Sequence, residues 1–156
     1  MTSSPPRGTE GACVFCDALA APDTEESLVV RREPLAFLLL NRYPYNSGHC
    51  MVLPNRHVTE LSDLTPEESA AVFGLLARTV DLLRSSMKAE AVNVGGNLGR
   101  HAGGSIDHLH LHCVPRWAGD TNFMPVVAET KVLVEMLGDT RRRLARSARA
   151  WDEPPA

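Results

Sequence analysis

Hydrophobic positions along the chain follow two periods. Residues 28–31 and 35–40 are short apolar runs parted by Glu33 and Pro34, the form of two adjacent strands joined by a tight turn, the second reading as a core strand. Tyr43-Pro-Tyr-Asn-Ser-Gly48 is a turn-rich loop, and residues 49–53 resume as a strand before Pro54. Thr65, Pro66 and Glu68 combine an N-cap, a first-turn proline and a capping-box acid, which starts a helix over 66–88. Its Val72, Leu75, Leu76, Leu83 and Met87 recur at the spacing of one buried helical face. Val92 and Val94 predict a strand running into Gly95-Gly96, and residues 106–114 alternate again with period two. A last helix over 131–148 is expected to turn Leu133, Met136, Leu137 and Leu144 inward and Arg141, Arg142 and Arg143 mostly outward. These elements predict an α+β fold: an antiparallel sheet of about five strands, a long helix and a C-terminal helix.

Composition narrows the class without naming the chemistry. At 156 residues, with 44% hydrophobic and 22% charged, the chain suits one globular core. We expect a domain over 13–150 between flexible tails at 1–12 and 151–156, both rich in proline, glycine or polar residues. Sixteen lysines and arginines against nineteen acids leave a net charge of −3, which disfavours generic nucleic-acid binding. No secretory or membrane-spanning stretch is legible, so a soluble, cytoplasmic protein with reduced cysteines is expected. Cys50 and Cys113 sit in strands and read as small buried hydrophobes. Cys13 and Cys16, two residues apart, read as metal-binding or redox-active.

The chemistry concentrates in His108-Leu-His-Leu-His112. On a strand, period two projects all three imidazoles from one face and both leucines from the other, whereas a helix would spread them over about 200° of azimuth. Three neighbouring imidazoles repel when protonated, so such a site needs them neutral, metal-bound or hydrogen-bonded in a chain. Two readings follow from the residues: three histidines holding a catalytic zinc with an open position, or one imidazole acting as a nucleophile on phosphorus, tuned by its neighbours. Upstream, Gly95-Gly-Asn-Leu-Gly99 and Ala102-Gly-Gly-Ser105 let backbone N–H groups approach a phosphate, which favours the second.

His108-Leu-His-Leu-His-Cys-Val114, followed by Pro115 and Arg116, resembles the signature of the histidine-triad (HIT) family. The similarity runs through Asn41, Gly48-His49, Leu53-Pro54 and the glycine loop, and the stretch from Trp117 to Met124 resembles a bacterial branch near the diadenosine-tetraphosphate phosphorylases and hydrolases. The resemblance implies a HIT-like fold, a homodimer whose sheets join, and a purine nucleotide or dinucleoside polyphosphate substrate. It implies His110 as the nucleophile on the α-phosphorus, with His112 and His49 fixing the tautomer of His110. It places Asn41 at the ribose, Asn97 and Ser105 near the α-phosphate and leaving oxygen, and Gly99, Gly103 and Gly104 in the phosphate loop. Adenosine phosphoramidate hydrolysis, or a slow-turnover nucleotide-binding regulator, are the alternatives.

Other branches carry glutamine before the serine where this chain has Gly104, and by size alone Gly104 is expected to leave room for a larger leaving group or an incoming phosphate. The resemblance also completes the cysteine pair: Cys13, Cys16, His57 and His108 are expected to hold a structural zinc, four protein ligands leaving no position for water. This assigns His108 to the metal and His110 to chemistry. His101 has no assigned partner.

Overall fold

The computed structural model describes residues 13–24, 26–120 and 135–153. The expected tail at 1–12, residues 131–134 of the expected last helix with Leu133, the 121–124 part of the resembling segment, and residues 154–156 lie outside them. Five strands, β1 (Val29–Arg32), β2 (Ala36–Leu40), β3 (Cys50–Pro54), β4 (Ala91–Gly95) and β5 (Leu111–Arg116), form one sheet in the order β1-β2-β3-β5-β4. Every pairing is antiparallel.

β2 and β3 are buried along their whole length because both faces of the sheet are covered. On one face Leu38, Leu40, Cys50, Val52, Leu111 and Cys113 pack against α2 (Pro66–Met87) and the C-terminal α3 (Leu137–Ala148). On the other, Phe37, Leu39, Met51 and Leu53 meet Phe15 of α1 (Val14–Ala20). Alternating residues of β2 thus serve two cores, as a period-two strand must.

α2 starts where its capping box predicts. Thr65 Oγ1 accepts from the Glu68 N–H at 3.2 Å and Glu68 Oε2 accepts from the Thr65 N–H at 3.0 Å, satisfying two of the donors a helix start leaves open. Arg56 donates to both carboxylate oxygens of Glu68, at 2.9 and 2.7 Å, tying this start to the turn after β3.

Three expectations need correction. The short helix α1 was not legible, because seven residues give too little periodicity to stand out. β5 starts at Leu111, not at residue 106: Pro54 has no N–H to extend the ladder, the β3–β5 register ends with Val52 opposite Leu111, and the Pro54 carbonyl takes His108 Nε2 instead at 3.0 Å. Met136 is 76% exposed rather than inward, since it precedes the first turn of α3, whereas Leu144 is fully buried. Trp151 packs beside the main core and under the Arg78 guanidinium, and Asp152 pairs with Arg31.

Candidate metal and histidine site

The triad histidines lie on the α1 side of the sheet and divide between two clusters. Cys13 precedes α1 and Cys16 sits in its first turn, His57 follows β3, and His108 approaches β5. The four donor atoms all lie within 4.8 Å of one another. Cys13 Sγ is 3.4 Å from His108 Nδ1, and Cys16 Sγ is 3.5 Å from His57 Nδ1 and 3.6 Å from His108 Nδ1. Zinc bonds of about 2.3 Å to sulfur and 2.0–2.1 Å to nitrogen set a tetrahedral S···N edge of about 3.6 Å, so the spacing fits that coordination. The Pro54 carbonyl accepts His108 Nε2–H, which leaves the Nδ1 lone pair facing the thiols. Burial lowers the pKa of His108 and keeps it in the neutral, ligating form.

The same geometry disfavours a redox dithiol. Burial first, then the Cys13 thiol beside it, raises Cys16 to about 11, whereas a reactive Cys-x-x-Cys needs a lowered thiol pKa. No parallel β-α-β unit is present among the described residues. Cys50 and Cys113, opposite one another in the sheet, are fully buried. Burial pushes Cys113 up to about 12 and Cys50 well above its ordinary value, as for inert core thiols.

The second cluster is a chain of oriented imidazoles. The Tyr45 N–H donates to His49 Nδ1 at 3.0 Å, so the proton of His49 sits on Nε2, which donates to His112 Nδ1 at 2.8 Å. The proton of His112 therefore sits on Nε2, a buried atom with no partner among the described residues. Burial, and secondarily His110, lower the pKa of His112 and hold it neutral. His110 Nδ1–H donates to the His108 carbonyl at 2.6 Å, leaving the Nε2 lone pair free. The expected tautomer control is thereby corrected: the backbone of His108 orients His110, and the His49 relay orients His112.

His110 and His112, ring centroids 5.0 Å apart, line a cavity of about 1000 Å³. Phe15, Leu28, Leu39, Met51 and Ile106 make its apolar wall. None of these was legible as a site residue, because each also reads as ordinary core. Asn41, Asn97, Gly103 and Ser105 line it too, so the structure gathers most of the predicted polar set. Asn41 caps the Tyr43 N–H through Oδ1 at 3.0 Å, and its Nδ2 lies 3.4 Å from His49 Nε2.

Gly99 and Gly104 do not line the cavity but close its loop, the Gly104 N–H donating to the Gly99 carbonyl at 3.2 Å. A Cβ on Gly104 would lie 2.9 Å from Gly99 O and 3.1 Å from Asn97 O. The space expected there for a larger leaving group is filled by the loop's own backbone. Gly103 has φ +94°, a left-handed turn that glycine adopts without strain. His101 is exposed on the short turn Arg100–Ala102 and does not line the cavity.

A family model described as the HIT domain matches residues 23–119. The AP-4-A phosphorylase of Mycobacterium tuberculosis is 48% identical over 132 residues, 84% of this chain and 66% of that protein, so the chain spans just under two thirds of that relative's length. The asymmetrical bis(5'-nucleosyl)-tetraphosphatase of Schizosaccharomyces pombe is 34% identical over 94 residues, 60% of this chain and 52% of that one. Among solved structures, a Zn-bound histidine triad family protein from Mycobacterium smegmatis superposes with a TM-score of 0.72 at 26% identity, covering 90% of this chain and 96% of that one.

Proposed function

The chain belongs to the HIT domain family, and on that premise we propose that it is an enzyme that cleaves dinucleoside polyphosphates at the α-phosphate through a nucleotidyl-histidine on His110. The observation that carries this reading is the 2.6 Å bond from His110 Nδ1–H to the His108 carbonyl, which presents an unprotonated Nε2 to a cavity large enough for a nucleotide. The Nε2 lone pair forms a P–N bond as the P–O bond to the leaving polyphosphate breaks. His112 Nε2–H, oriented by His49, donates to the phosphate oxygens as their charge changes, with Ser105 and Asn97 supplying further donors. Asn41 contacts the ribose, and Gly103 lets the loop backbone approach the phosphate, with Gly99 and Gly104 closing the loop behind it. Water or inorganic phosphate then attacks phosphorus as the P–N bond breaks, Nε2 recovers its lone pair, and the proton of the attacking oxygen is released to solvent. The apolar wall accepts the purine.

Cys13, Cys16, His57 and His108 hold a structural zinc, a reading supported by the tetrahedral spacing of their donors and by the Zn-bound relative. Bound there, the ion supplies a cross-link and no open coordination position. The functional unit is a homodimer joined along β4, a sheet edge whose residues are mostly exposed, Val94 by 49%. It works in the cytoplasm on small nucleotides, not on nucleic acid.

Product analysis on diadenosine tetraphosphate tests the reading. Cleavage to ADP and ATP only with inorganic phosphate makes the protein a phosphorylase, the outcome the 48% identical relative favours. AMP and ATP without phosphate make it a hydrolase. No cleavage under either condition, or cleavage surviving His110→Ala, refutes it.

A further inference from the structure

The loop between Asn41 and Gly48 puts three large side chains on the lip of the cavity that the nucleophile mechanism does not use. Tyr43 is 80% exposed and Tyr45 55% exposed, the Tyr45 ring resting on one side against His49 with 4.6 Å between centroids. Tyr45 lies nearly parallel to His112, 21° between planes and 6.1 Å between centroids, so it flanks the phosphate-facing imidazole. Arg42 also lines the cavity and is exposed, with no ion pair among the described residues. It is the one lysine or arginine among the described lining residues, while Asp17 and Glu26 line the same cavity. A substrate whose α-phosphate sits at His110 must place its remaining phosphates beyond that point. Arg42 is the permanent cation present to meet them. The cavity, at about 1000 Å³, exceeds what one nucleoside monophosphate fills.

We propose that Arg42, Tyr43 and Tyr45 form the subsite for the leaving nucleotide, the guanidinium meeting the distal phosphates and the tyrosine rings stacking the second base. This rests on the dinucleotide reading above and names the residues that separate a dinucleotide from a substrate with a small leaving group. A guanidinium binds phosphate oxygens through its forked donors, and an exposed aromatic ring accepts any base face.

Calorimetric binding of diadenosine tetraphosphate and of AMP to the His110→Ala protein, with and without Arg42→Ala or Tyr43→Ala, tests the subsite without turnover. Tyr45 is left intact because its backbone orients His49. The dinucleotide should bind more tightly than AMP, and each lip substitution should reduce that advantage about tenfold, the scale of one stacked base or one charge-assisted phosphate contact. AMP affinity should change less than twofold. An equal loss for both ligands places these side chains on the retained nucleoside and overturns the proposal. So does a dinucleotide advantage that is absent, or unmoved by either substitution. Turnover of diadenosine tetraphosphate by the unsubstituted protein judges the cleavage reading separately: a protein that binds as predicted yet cleaves nothing keeps the subsite and loses the enzyme.

Discussion

Removing the proposed zinc should loosen the whole molecule by an amount that chain geometry sets. Cys16 and His57 are 41 positions apart and Cys16 and His108 are 92, so an ion held by these side chains closes two long loops. Closing the first constrains the unfolded chain by about 4 kcal/mol on the loop-entropy scale for cross-links. For a chain of this size each kcal/mol moves the melting temperature by about 2–4 °C, which gives a fall of roughly 10 °C on chelation even if the second loop adds nothing. The effect should reach His110, because residues 108–110 lie outside the β5 ladder. They are held by the Leu109 N–H on the Val58 carbonyl at 2.7 Å, by His108 Nε2 on Pro54, and by the thiol contacts of His108. The assay is thermal unfolding of purified protein before and after chelation, with zinc counted per chain, on the wild type, Cys16→Ala and His110→Ala. Cys16→Ala should bind zinc weakly and melt like the chelated wild type, whereas His110→Ala should keep about one zinc per chain and lose only turnover. A chelated protein melting within about 2 °C of the untreated one would refute the cross-link. Loss of zinc with His110→Ala would instead mean that the triad itself holds a metal.

Further outcomes follow from individual contacts. His49→Ala should free the tautomer of His112 and lower kcat by about 10²-fold, the lower range for a misplaced proton donor, with KM little changed; steady-state kinetics on diadenosine tetraphosphate checks the split. Gly104→Gln should lower the melting temperature and slow dinucleotide and phosphoramidate substrates alike, since its Cβ meets loop carbonyls; a change in leaving-group preference at unchanged stability would contradict that geometry. Arg56, and secondarily the Thr65 N–H, hold the Glu68 carboxylate down to about 2. Its contribution is full above the ordinary carboxylate range and is lost as pH falls from about 4.5 towards 2. Melting curves of the wild type and Glu68→Gln should therefore converge at the acid end. Burial lowers the pKa of His112, so its neutral state favours the fold above about pH 6.5, and that contribution falls as pH drops below it; NMR titration of the ring should show a midpoint below the ordinary histidine value.

Period and spacing alone determined much of this protein. Both strands flanking the first turn, the capped helix from Pro66 and the burial of Leu75, Leu83 and Leu144 follow from local pattern, because each depends on neighbours within a few positions. The alternation of His108, His110 and His112 likewise singled out three imidazoles that the fold keeps together, although only His112 lies in the sheet and the other two precede β5. What only the tertiary structure decided is which group orients which. His110 is oriented by a carbonyl two residues away and His112 by a relay from Tyr45 through His49. The Pro54 carbonyl turns His108 towards the thiols. α1 and the apolar wall were illegible, since a seven-residue helix gives almost no periodic signal and Phe15 or Met51 reads as core in any fold. Gly104 shows the limit most plainly: its identity in the sequence suggested open space, and only the positions of the Gly99 and Asn97 carbonyls show that backbone already fills it. Local pattern is set by the chain's own period, but the direction of a proton or the filling of a gap depends on atoms that meet only once the chain has folded.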